Sequence, residues 1–153
     1  MCIRDRAREK ARENAQPTNV DPRTRVIAIG SGKGGVGKST LSANIALGLA
    51  KKGFQTGLLD ADIWGFSIPR LLGISGRIEA NSDKKMIPYE IGNLKVISTG
   101  LITSNEDTAL MWRGLMLSKA LEQFLTDVQW GDLDYMIIAV SYTHLTLPTI
   151  TGV

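Results

Sequence analysis

The chain has 153 residues, 43% of them hydrophobic, and a net charge of +3, which suits one modest domain with a packed core. It contains no run of 18 apolar residues, so no transmembrane helix is expected, and its charged N-terminus lacks the apolar stretch of a signal peptide. A single cysteine excludes an internal disulfide framework and suits a reducing cytoplasm. The charge surplus is local: residues 1–25 carry seven Lys/Arg against four Asp/Glu, and the remainder balances. Such an arm reads as a solvated segment, so neither a nucleic-acid nor a membrane partner is expected.

In chain order, residues 7–24 are polar, are broken at Gln16-Pro17 and Asp21-Pro22, and read as a linker. Val26 to Ile29 reads as a short buried strand. Next comes Gly32-Lys33-Gly34-Gly35-Val36-Gly37-Lys38-Ser39-Thr40, which fits the phosphate-binding pattern G-x-x-x-x-G-K-[ST] without a gap. A triphosphate concentrates negative charge, and the loop's glycines let backbone N–H groups converge on it without interfering side chains. The helix that follows adds the positive end of its dipole. Lys38 would reach the β- and γ-phosphates, Ser39 would ligate Mg²⁺ through its hydroxyl, and Thr40 would lie near the α-phosphate. The competing reading, a glycine-rich turn that matches by chance, does not account for the strand before and the helix after.

That helix is expected from Lys38 to Lys52, with Leu41, Ile45 and Leu49 on one apolar face and Gly53 ending it. Phe54 to Leu59 reads as a second strand, and strand–helix–strand implies a parallel pair with a right-handed crossover. Asp60 and Asp62 then stand at the carboxyl end of the second strand, the edge where open α/β sheets bind ligands. Two carboxylates beside a phosphate loop could orient the attacking water and the hydrated Mg²⁺. The alternative is an Asx-turn or cap before a short helix near Ser67 to Leu72. Gly65, Pro69 and Gly73 mark a switch-like stretch. Met86–Ile91 and Leu94–Ser98 flank Gly92-Asn93 as a hairpin. A helix is expected from Asp107 to Val128, with Leu117, Leu121, Phe124, Leu125 and Val128 on its apolar face. Met111, Trp112 and Met116 read as packing residues and Arg113 as a surface arginine. Tyr135 to Val140 is a third apolar strand.

Several of these stretches resemble one family. The phosphate loop, LLDADIWGFSIPRLLG (58–73), LKVISTG (94–100), MWRGLMLSKALEQF (111–124) and WGDLDYMII (130–138) together are similar to the Mrp/ApbC P-loop ATPases, which carry iron–sulfur clusters to apoproteins. KGGVGKST resembles the deviant Walker A motif, in which the extra lysine, here Lys33, reaches across a nucleotide-sandwich dimer. The resemblance implies an α/β P-loop NTPase fold with a mostly parallel sheet. It also implies ATP and Mg²⁺ as cofactors, a homodimer, a cytoplasmic location and an iron–sulfur cargo delivered to apoproteins. It makes Lys33, Lys38 and Asp62 catalytic, residues 32–40 the nucleotide site, Ser39 a Mg²⁺ ligand and Asp60 an indirect one. The rivals are a positioning or partitioning ATPase of the MinD/ParA kind, which would need an amphipathic tail or basic patch, and a non-functional fragment.

The chain also departs from the family. Its third strand ends in Ile138-Ala139-Val140, with Ala139 where the family carries an aspartate that holds a Mg²⁺-bound water. Asp134 cannot substitute, because it lies about 17 Å upstream along an extended strand. The family's paired cluster-binding cysteines are missing. Residues 1–6 and 140–153 resemble translated adaptor read-through and are expected to be foreign, leaving 25–139 as the N-terminal part of the ATPase domain. Cys2 and His144 are accordingly not expected to be ligands.

Overall fold

A computed structural model describes residues 18–62, 67–79, 81–83, 85–102 and 117–141. The described residues form five strands, β1 (Arg25–Ser31), β2 (Thr56–Asp60), β3 (Tyr89–Ile91), β4 (Leu94–Ser98) and β5 (Tyr135–Ser141). The helices are α1 (Lys38–Lys51), α2 (Ile68–Leu71), α3 (Thr99–Ile102) and α4 (Leu117–Asp127). One sheet holds all five strands in the order β1-β5-β2-β4-β3. Only β3 runs antiparallel, pairing with β4 as the expected hairpin, with Gly92 at φ 57° in the turn. Met86 stands outside that hairpin and bridges Val128 instead.

Continuous apolar strands are needed because both faces of the sheet are covered. Successive residues alternate between two cores. Leu58, Val96 and Ile137 pack with Ala43, Ala46 and Ile68 on the α1 side. Leu59, Ile97 and Ile138 pack with Phe124, Val128 and Trp130 on the α4 side. Trp130 is fully buried and its indole N–H donates to the Phe124 carbonyl at 3.0 Å. Gly57 admits this packing, since a Cβ there would lie 2.8 Å from Leu133 Cδ1 and 3.2 Å from Trp130 Cζ3.

Three expectations are corrected. β1 and β2 are parallel in one sheet but are not neighbours, because β5 lies between them and pairs with both. β1 is therefore an edge strand, and Val26 and Ile27, read as buried, are 54% and 39% exposed. The buried positions of α1 are Ser42, Ala43 and Ala46, with Ile45 and Leu49 partly buried against the same core, while Leu41 is 53% exposed. Small side chains bring the helix backbone close to the sheet, and a leucine stripe would hold it further off.

Other parts fall nearer to expectation or beyond the described residues. α4 buries Phe124, and Val128 just after it is also buried; the earlier part of the expected helix, with Met111, Trp112, Arg113 and Met116, lies outside the described residues. Gly65 does too, as do Cys2 and His144. The last residues of the expected linker are docked: the Asn19 N–H donates to Leu125 O at 2.9 Å, and the buried Thr24 hydroxyl donates to Leu133 O at 2.8 Å. β5 continues through the buried Val140 to Ser141, two residues into the stretch read as a foreign tail.

Candidate nucleotide-phosphate site

Parallel pairing sets the carboxyl ends of β1, β5, β2 and β4 along one edge, where Ser31 pairs with Ser141, and Asp60 with both Ala139 and Ser98. The glycine loop leaves β1 at this edge and enters α1 at Lys38. Gly35 and Gly37 have φ of 74° and 85°, left-handed values that glycine adopts without strain. A Cβ at either would meet nothing within 4 Å, so the glycines answer to backbone conformation and not to packing. Ser31 secures the start of the loop, its hydroxyl donating to Lys33 O at 2.8 Å and accepting the Lys33 N–H at 3.2 Å.

Residues 32–37 are exposed, and Gly37 caps α1 with no side-chain hydrogen bond to the first turn. The first turn holds no acidic residue. Apart from the Lys33 N–H, which the Ser31 hydroxyl accepts, these amides and the helix dipole are open to an anion, and the donor set fits nucleotide phosphates. Lys33 is exposed, with no side-chain ion pair among the described residues.

Lys38 turns back across the edge, and its Nζ lies 2.9 Å from Asp62 Oδ2, with the two side chains 10% and 12% exposed. The structure thus joins two residues 24 positions apart that were singled out separately in the sequence. Asp60 has a different setting. It is fully buried, with Oδ1 accepting the Asp62 N–H and Oδ2 the Ser98 hydroxyl, both at 3.2 Å. Burial pushes its pKa up to about 6, opposed by hydrogen bonds from the Asp62 and Ile68 N–H groups and from Ser98. The bond to Asp62 N–H is an Asx-turn, so Asp60 shapes the loop.

Ser39 is half-buried at the start of α1. Its hydroxyl and the Asp62 carboxylate are hard oxygen donors of the kind Mg²⁺ takes alongside substrate phosphates. Among the described residues no group of three or more His, Cys, Asp or Glu could hold a metal ion. Ala139 is fully buried between Ile29 and Asp60, and its carbonyl accepts the Ala61 N–H at 3.0 Å. Where the resemblance implies a strand-end aspartate, this chain has only the Ala139 methyl group.

Sequence reasoning missed Ser98 and Thr99. The Thr99 hydroxyl donates to Asp62 O at 3.2 Å, and the Ser98 hydroxyl accepts the Gly100 N–H at 3.2 Å. The available signal was a pair of hydroxyl residues closing an apolar strand at the ligand-binding edge.

A mostly parallel sheet, a glycine loop feeding a helix, and a helix lysine set against a strand-end carboxylate define a P-loop NTPase. The family described as ParA, NUBPL iron-transfer P-loop NTPase, matches residues 23–141, and the chain belongs to it. An iron–sulfur cluster carrier protein of Aquifex aeolicus is 48% identical over 114 residues, which is 74% of this chain and 31% of that protein. A nucleotide-binding protein of Archaeoglobus fulgidus, solved in complex with ADP, superposes with a TM-score of 0.60 at 34% identity, over 78% of this chain and 44% of that one. The septum site-determining protein MinD of Pyrococcus horikoshii, with a TM-score of 0.56 at 20% identity over 76% of this chain and 48% of its own, shares the fold alone. The chain spans about a third of the length of the bacterial carrier proteins it matches.

Proposed function

We propose that this chain supplies the ATP-gripping and ATP-hydrolysing part of an iron–sulfur cluster carrier, a cytoplasmic homodimer that hands clusters to apoproteins. The contact of Lys38 with Asp62 beside an uncapped glycine loop carries this reading. It brings a phosphate-binding cation and a water-orienting carboxylate to one point.

In this reading the loop amides and Lys38 hold the β- and γ-phosphates, and the ammonium offsets charge that grows on them as the terminal phosphoryl group departs. Asp62 orients the attacking water and accepts its hydrogen bond. Ser39 would hold Mg²⁺, which when bound neutralises phosphate charge. Lys33, exposed and projecting from the loop, is free to reach the nucleotide of a second copy. Family membership and the carrier protein that this chain resembles support the cargo assignment.

Equilibrium ATP binding and phosphate release, with Mg²⁺ titrated, test the reading. Lys38→Ala should weaken binding at least ~100-fold, as expected when a charge-assisted phosphate contact is lost. Equal binding by both proteins would remove the loop from the account. Lys33→Ala should spare binding and slow turnover, and size measurement with ATP should show a dimer.

A further inference from the structure

The stretch Leu94–Gly100 lies outside the phosphate loop, yet Ser98 and Thr99 within it grip the segment that carries Asp62. Ser98 ends β4 directly opposite Asp60 and is fully buried. Its hydroxyl donates to Asp60 Oδ2 and accepts the Gly100 N–H, each at 3.2 Å. Thr99, 6% exposed, donates its hydroxyl to the Asp62 carbonyl at 3.2 Å. Between these points the Asp62 N–H is tied to Asp60 Oδ1, and the Ala61 N–H to Ala139 O. Two consecutive hydroxyls from one strand end therefore hold both ends of Asp60-Ala61-Asp62, and Asp62 Oδ2 meets Lys38 at 2.9 Å.

We propose that Ser98 and Thr99 are positioning residues that set the Asp62 carboxylate against Lys38, and through it against the terminal phosphate and its attacking water. The proposal rests on the hydrolytic reading of the site. Neither hydroxyl is in the phosphate loop, so neither contributes to gripping the nucleotide. Both act on the one carboxylate whose placement sets the chemical step. A misplacement of about 1 Å there can cost up to ~100-fold in rate.

The test uses the full chain with Thr99→Val, Thr99→Ser and Ser98→Ala. It measures steady-state ATP hydrolysis, equilibrium ATP binding and residue-resolved amide exchange. Thr99→Val and Ser98→Ala should lower kcat about tenfold with ATP affinity and KM within about twofold, and Thr99→Ser should retain most of the rate. The Asp62 amide should exchange faster in Thr99→Val and Ser98→Ala, with β5 protection unchanged. Equal losses in Thr99→Val and Thr99→Ser, a parallel fall of affinity and kcat, or unchanged Asp62 exchange would each overturn the proposal. If the unsubstituted chain binds ATP without hydrolysing it, the proposed function fails, and Asp62 exchange alone decides whether the hydroxyls position that residue.

Discussion

The two ends of the sheet each carry an ion pair, and the shorter one matters less. At the amino end Arg23 Nη2 and Asp21 Oδ2 meet at 2.7 Å, with side chains 87% and 22% exposed. At the carboxyl end Lys38 and Asp62 meet at 2.9 Å, with side chains 10% and 12% exposed. Water around the first pair already stabilises both charges, so their attraction adds little. The second pair has given up most of its hydration, so each charge depends on the other.

The aspartates repeat the contrast. Hydrogen bonds from the Arg23 side chain and backbone hold the Asp21 carboxyl down near about 2, while burial pushes Asp60 up to about 6. The amino end has an open cavity of about 410 Å³ beside Arg25 and Tyr135, where Arg23 pairs with Asp21 and Arg25 donates to the Tyr135 hydroxyl at 3.1 Å. Only the carboxyl end combines exposed backbone donors with a nearly dry charge pair.

The sharpest way to break this contrast is Lys38→Ala. Removing the ammonium from beside a nearly buried carboxylate should cost about 3–4 kcal/mol in urea unfolding, beyond the loss of nucleotide binding. A cost no greater than that of Arg23→Ala would erase the distinction between the two pairs.

The next effect follows from Asp60. Its folded pKa lies above the unfolded value of 3.8, so the native state binds the extra proton between about pH 4 and 6. The stability from that proton is fully present below the unfolded pKa and is lost as pH rises through the folded one. The loss should be roughly 2–3 kcal/mol between pH 4 and 7. Asp60→Asn, which stays neutral, should flatten that slope in denaturation curves recorded across this range. An unchanged slope would assign it to other groups.

Gly37→Ala should cost about 1–2 kcal/mol, because φ 85° suits only glycine even though the space for a methyl is open. Its effect on ATP affinity should be larger than its effect on the unfolding midpoint. Arg23→Ala should shift the midpoint least of these changes, and added salt should shrink the shift further. A shift as large as that of Lys38→Ala would mean that exposure does not rank these pairs.

Much of the candidate site was legible because it is local. The glycine loop and the start of α1 at Lys38 occupy adjacent positions, and their pattern encodes backbone conformation directly. The placement of Asp60 and Asp62 at the end of β2 follows from one apolar run and its end. Other features depend on partners far along the chain. Ser98 meets Asp60 across 38 positions, and Thr99 meets Asp62 across 37, distances over which no periodicity carries information. Of the two readings of the aspartates left open by the sequence, the Asx-turn is seen at Asp60, and Asp62 faces Lys38.

The sequence by itself determined that a parallel α/β sheet presents a phosphate loop, because strand, loop and helix each follow from short-range preferences. Tertiary structure decided the strand order. β5, the last strand among the described residues, inserts between the first two and leaves Val26 and Ile27 on an exposed edge. It also decided that Ser42, Ala43 and Ala46, and not Leu41, face the sheet. Side-chain hydrophobicity says that a residue gains from burial; only the approach of its neighbours settles which residue is covered, and how closely.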